Sequence, residues 1–210
     1  RKGNPDMRKM LFALAALAAL ALLAPNSGVA QGAANQIGIY TTQTPDFDNI
    51  TDLDTTVNGA GSHTAYVILS YPHNDNTDTD INAVGGFEFQ LDWGSLFVTP
   101  TLHSSATNFM NSPDFYCGSN VPVSNGMAVL MTLAIGSFSE DPVSIYMMPV
   151  SDAQAQSIPG AIALTDFDDN YSISQAFPSS GDFADAVFGF NTSVVPNEDA
   201  NWGDVKNLYR

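Results

Sequence analysis

The segment "GGFEFQLDWGSLFVTP" (Gly85–Pro100) alternates sharply. Phe87, Phe89, Leu91 and Trp93 fall on one side of an extended chain; Glu88, Gln90 and Asp92 fall on the other. A period of two with aromatic and aliphatic residues predicts a strand with one buried and one wet face. Similar short runs recur: "QIGIY" (36–40), "TAYVILSY" (64–71), "LFVTPTL" (96–102), "MAVLMTLAIGSF" (127–138), "VSIYMMPV" (143–150), "AIALTDF", "YSISQAF" and "DAVFGFN". "TAYVILSY" is apolar on both faces and reads as a central strand. Gly, Pro, Asn, Asp and Ser separate the runs, as turns require. Helical signals are few: "FMNSPDFYCGS" (109–119) suits a short turn, and "DAQAQS" (152–157) is helix-permissive. The pattern therefore predicts an all-β domain of about eight to ten strands, a sandwich or a barrel, with an antiparallel β-sandwich as the expected architecture.

The ends differ from the middle. From Met7, Arg8 and Lys9 precede 14 unbroken apolar residues, Leu11 to Ala24, then Pro25 and the small residues Gly28-Val29-Ala30. This is the pattern of an export signal, expected to be cut after Ala30. The apolar run is shorter than the roughly 20 residues that a membrane span needs. The six residues before Met7 read as upstream of the translation start. The expected organisation is a leader over 1–30, a β-sandwich over 31–191, and a linker and tail over 192–210. In the tail, Trp202, Val205, Leu208 and Tyr209 share one face of a short helix, an expected docking stripe. The expected location is secreted, extracellular or at the cell surface.

Charge narrows the partners. The chain carries −16; residues 1–30 hold four cations and one acid, so residues 31–210 carry −19. Between Gln31 and Val205 there is no Lys or Arg. Nucleic acid, which is held by cations on phosphates, is excluded as a partner, and so is attraction to anionic lipid. Arg or Lys clamps for anionic substrates are missing too. Of the 21 acids beyond residue 30, 18 are Asp, which places the acidity in turns. Cys117 is the lone cysteine, so no internal disulfide forms. It reads as a buried inert thiol, an intermolecular bridge or a reactive group.

"TAYVILS", "VGGFEFQLDW" and "LFVTP", followed by "MAVLMTLAIGSF" and "VSIYMMPV", resemble the strand order of cohesin-type modules over about 64–191. The "QIGIY" opening and the tail "WGDVKNLYR" (202–210) are similar to those of a group of secreted bacterial proteins. The resemblance implies a jelly-roll sandwich and a role in binding. It carries over no partner-contact residue.

Motifs for catalysis are missing: there is no G-x-S-x-G, H-E-x-x-H, P-loop or G-x-G-x-x-G. His63, His73 and His103 are scattered through polar segments, and a zinc site would need them to converge with Cys117. "HNDNTDTDIN" (73–82) begins like an EF-hand, but Ala83 replaces the turn glycine and Phe89 the bidentate glutamate, so that motif is rejected. A looser calcium site remains, built on Asp75, Asp78, Asp80 and Asn82, or on Asp166, Asp168 and Asp169, or on the loop Asp46–Asp54. The bland reading of each is a solvated acidic loop. Tyr71, Trp93, Phe97, Phe115 and Tyr116 could stack a sugar or belong to the core. Glu88, Gln90, Asp92 and Trp93 are the candidate ligand face. The expected function is a non-catalytic binding, adhesion or matrix module for a protein or glycan, with no cofactor unless Ca2+. The alternatives are a surface subunit assembled through its tail and a secreted glycosidase using two acids.

Overall fold

The computed structural model describes residues 34–47 and 55–194. The leader and the tail stripe Trp202, Val205, Leu208 and Tyr209 lie outside the described residues, as does most of the Asp46–Asp54 loop. Every regular element described is a strand: β1 (Gln36–Tyr40), β2 (Thr56–Val57), β3 (Gly61–Ser70), β4 (His73–Asn74), β5 (Thr79–Asp80), β6 (Ala83–Asp92) and β7 (Phe97–Leu102). There follow β8 (Thr107–Asn108), β9 (Asp114–Pro122), β10 (Met127–Ser137), β11 (Val143–Met148), β12 (Ile162–Asp166), β13 (Ser172–Pro178) and β14 (Phe188–Phe190). Nine of these coincide with the apolar runs. β9, read from sequence as a turn, is a nine-residue strand whose buried Phe115, Cys117, Ser119 and Val121 alternate with exposed or half-buried residues. The two-residue strands β2, β4, β5 and β8 formed where the sequence shows only loop composition.

Twelve strands form one connected sheet in the order β2-β14-β11-β6-β12-β13-β1-β3-β10-β7, with β9 attached to β6 and β8 to β9. β4 and β5 make a separate hairpin. The expectation of a purely antiparallel arrangement is corrected: β1 pairs with β13, and β14 with β2, in parallel. Parallel neighbours arise because β1 and β2 are each joined, by long connections, to strands from the far end of the chain. As expected, β3 is central, lying between β1 and β10.

One core gathers side chains from both halves of this order. Ile37, Leu69, Leu130 and Leu133 share a cluster with Phe87, Phe89, Leu91, Phe115, Ile145, Leu164, Phe188 and Phe190. Strands far apart in the sheet thus bury one another's inner faces, so the sheet wraps round its core. Fully burying each such side chain contributes about 1.5–3 kcal/mol. Salt bridges contribute little to the fold: between described residues, the close contacts of basic with acidic side chains are those of His73 with Asp78 and Asp80.

Two bulges reconcile the sequence pattern with this core. In β10, Ala128 and Leu130 point inward, then Met131, Leu133 and Ile135 do. The inward parity changes from even to odd, and the pairing with β3 slips between Val129 and Met131. In β6, inward Val84 gives way to inward Phe87, Phe89 and Leu91, and the pairing with β9 slips between Val84 and Gly86. One extra residue in a strand flips every later side chain to the other face. The second bulge sets which residues of β6 face outward: Gly86, Glu88, Gln90 and Asp92.

Candidate binding groove

The outward face of β6 is not the open wet surface that its polar residues predict. β9 runs along β6 from Ala83 to Gln90, while β12 pairs with Val84–Glu88 and β11 with Gln90–Asp92. Glu88 is buried, at 3% exposure, and both its oxygens are taken by Ser157: Oε1 accepts the backbone N–H at 2.7 Å and Oε2 the hydroxyl at 2.8 Å. The expectation that Glu88 faces solvent or a partner is therefore corrected. The segment between β11 and β12 brings Ser157 to Glu88, a contact between residues 69 apart in sequence. Gln90 and Trp93 are half-buried, with Trp93 packed against the core. Asp92 is exposed and accepts the Gly94 N–H at 3.0 Å, closing the turn after β6. These four residues do not form one surface.

Just beside Glu88 the same sheet face forms a groove of about 320 Å³. Its floor is Gly85, Gly86, Gly118 and Ala163, small residues on β6, β9 and β12. A Cβ on Gly86 would stand 2.7 Å from the Cys117 carbonyl oxygen, so β6 and β9 approach there only because no side chain intervenes. Phe109 and Tyr116 rim one side, and Tyr171 and Ile173 the other. Phe109 lies over Gly118 and Tyr171 over Gly85, 3.2 Å and 2.8 Å from where a Cβ would be. Tyr171 and its neighbour Asn170 hold positive φ, 59° and 48°, in the β12–β13 turn that presents the ring. Among the described residues seven large hydrophobic side chains are exposed, and four of them are these rim residues: Phe109 at 69%, Tyr171 at 52%, Ile173 at 43% and Tyr116 at 38%.

Of the five aromatics proposed from sequence as a sugar platform, only Tyr116 lines this groove. Phe115 is core, at 1% exposure. Tyr71 leans on Phe47, and Phe97 pairs with the exposed Phe138 at 5.4 Å in a separate hollow. Sequence reasoning missed Phe109, Tyr171, Ile173 and Ser157. The only signal available was glycine at outward positions of two strands, Gly86 and Gly118.

The two acidic segments proposed as alternative calcium sites are in fact neighbours. Asn74 of β4 is fully buried between them, its amide donating to Asp166 Oδ2 and to Asp169 Oδ2, both at 3.0 Å. Its oxygen accepts the Asn76 N–H at 3.0 Å and the Ser172 hydroxyl at 3.3 Å. Asp75 accepts the Gln175 N–H, and its own N–H donates to Ser174. Asp78 and Asp80 are exposed and face the His73 ring instead. Asp168 donates its N–H to Asp166 Oδ1. Among the described residues, no group of three or more His, Cys, Asp or Glu side chains is placed to hold a metal ion. The set Asp75, Asp78, Asp80 and Asn82, and the set Asp166, Asp168 and Asp169, do not converge; an amide stands where the two loops meet. This network pins the β4–β5 hairpin to the β12–β13 turn that carries Tyr171.

The histidines stay apart. His63 contacts the Gly59 carbonyl oxygen and His103 the Ser105 hydroxyl. Cys117 is buried at 6% exposure, and burial pushes its thiol up to about 12. That raises the cost of the thiolate, the form that acts as nucleophile. Burial likewise holds the Tyr40 hydroxyl well above its ordinary range.

Compared with known proteins, the chain matches no family model, no curated protein and no solved structure.

Proposed function

We propose that the protein is an exported, non-catalytic binding module, a β-sandwich of jelly-roll or cohesin-like type, which takes a protein or glycan at or beyond the cell surface. The groove over Gly86 and Gly118 is its recognition site. One observation carries this reading: four of the seven exposed large hydrophobics among the described residues crowd round that single concavity. Apolar surface gathered on an otherwise strongly acidic protein marks a binding site more often than chance exposure does. The export pattern of Met7–Ala30 supports the location. The engagement of Glu88 with Ser157, and of Asp166 with Asn74, supports a structural rather than acid–base role for the buried carboxylates.

The test is retention of surface material or glycans by immobilised wild-type protein and by variants with Tyr116 or Phe109 replaced by Ala. Loss of retention with an unchanged melting temperature is expected. Equal retention by wild type and both variants would discard the groove as the site.

A further inference from the structure

The groove's own chemistry restricts what it can take, and the inference rests on the reading above. No Lys or Arg occurs between Gln31 and Val205, so none of the described residues offers an anionic ligand a Lys or Arg partner. The one carboxylate in the lining, Glu88, is buried and hydrogen-bonded through both oxygens to Ser157, so it is held by the fold rather than presented to a ligand. The walls are ring and aliphatic surfaces: Phe109, Tyr116, Tyr171 and Ile173. One polar atom in the lining is unsatisfied. The Thr165 hydroxyl oxygen is buried without a hydrogen-bond partner, and Thr165 lines the groove beside Gly86. The missing Cβ of Gly86 is what makes room for it, since that atom would lie 3.1 Å from the oxygen. A buried hydroxyl without a partner is a standing cost to the fold. Thr165 lines the groove, and its unpaired hydroxyl can both donate to and accept from a ligand group.

A ligand that is uncharged, has a flat apolar face and carries hydroxyl groups meets all of these conditions. We propose that the groove binds the pyranose ring of a neutral glycan, stacked against Tyr116 and Tyr171, with Thr165 as its hydrogen-bond partner. The volume of about 320 Å³ sits at the small end of ligand sites, which fits recognition of one short stretch of a chain rather than a long one.

The test is calorimetric titration of the full chain with neutral oligosaccharides: cello-, xylo-, manno- and chito-oligomers. A polygalacturonate oligomer serves as the anionic comparison, and a set of uncharged Tyr- and Ser-containing peptides as the protein-like one. The expected result is that at least one neutral oligosaccharide binds and the polygalacturonate does not. Tyr116→Ala and Tyr171→Asn should each weaken that binding about tenfold. Asn suits the positive φ at position 171, so the second variant tests the ring without straining the turn. Thr165→Val should weaken binding about fivefold while leaving the melting temperature unchanged or higher, because it removes an unsatisfied hydroxyl. A merely structural Thr165 would not move affinity.

Silence from every neutral oligosaccharide, binding by peptides alone, or sugar binding untouched by both Tyr variants overturns the proposal. If the sugars are silent but retention of surface material still depends on Tyr116, the sugar assignment falls and the groove stands. If retention is independent of Tyr116 as well, both fall.

Discussion

Replacing Asn74 probes the polar joint that holds the groove's turn in place. Asn74 makes four hydrogen bonds from a fully buried position, two of them to carboxylates. A net hydrogen bond to a charged group contributes about 1.5–3 kcal/mol and a neutral one about 0.5–1.5 kcal/mol. Asp169 is exposed and the Ser172 contact is long at 3.3 Å, so the low ends apply there. Asn74→Ala should then cost about 4–6 kcal/mol, a large part of the roughly 5–15 kcal/mol typical of a domain. Asn74→Asp keeps the shape but sets an acceptor against Asp166 and Asp169, so at pH 7 it should cost more than Asn74→Ala. Three carboxyls in contact favour the protonated form, so the folded variant holds a proton that the unfolded chain releases. Its extra penalty should therefore shrink as pH falls from 7 toward about 4, the ordinary carboxylate range. Calcium should narrow the same penalty by replacing the lost amide hydrogens with a cation. The assay is urea unfolding followed by circular dichroism at pH 7 and near pH 4, with and without calcium at matched ionic strength. An Asn74→Ala cost below about 1 kcal/mol, or Asn74→Asp no worse than Asn74→Ala at pH 7, would refute the account of this joint.

Three further outcomes are expected. Gly86→Ala puts a methyl 2.7 Å from the Cys117 carbonyl oxygen and should cost about 1–3 kcal/mol in thermal unfolding; an unchanged melting temperature would show that β6 and β9 have room to spare. Cys117 should resist thiol-specific labelling in the native protein at pH 8 and react fully in urea, and rapid native labelling would contradict its burial. Because the folded thiol is pushed up to about 12, it keeps its proton where the unfolded chain loses it; its contribution to stability is full below the ordinary thiol range and declines as pH rises toward 12, so Cys117→Ala should flatten the alkaline loss of stability. Finally, a chain with −19 over residues 31–210 repels itself, so moderate sodium chloride should raise the melting temperature, and a flat or falling response would argue against that repulsion.

Much of the strand inventory was legible because a strand buried on one face alternates with a period of two and one buried on both faces is a short apolar run, and nine of the longer strands coincide with such runs. β9 escaped because Asn, Ser, Pro and Gly interrupt "FMNSPDFYCGS", although Phe115, Cys117, Ser119 and Val121 keep the alternation. The parity changes at Gly85–Gly86 and at Leu130–Met131 are also written in the chain, and each marks a bulge. The groove was far less legible. Tyr116 and Tyr171 are 55 positions apart in sequence and belong to different hairpins, and nothing local says that their rings flank the same two glycines. Glu88 shows the same limit: its place in the pattern makes it outward, but outward from a sheet is not the same as wet.

Sequence alone determined the all-β class, the apolar run of Leu11–Ala24 and the absence of Lys and Arg between Gln31 and Val205, since each follows from residue type and local period. Tertiary structure alone decided that Ser157 buries Glu88, that Asn74 joins two acidic loops, and that four apolar side chains rim one groove. Those facts depend on contacts between residues distant in the chain, and such contacts are set by how the sheet wraps, which no local pattern encodes.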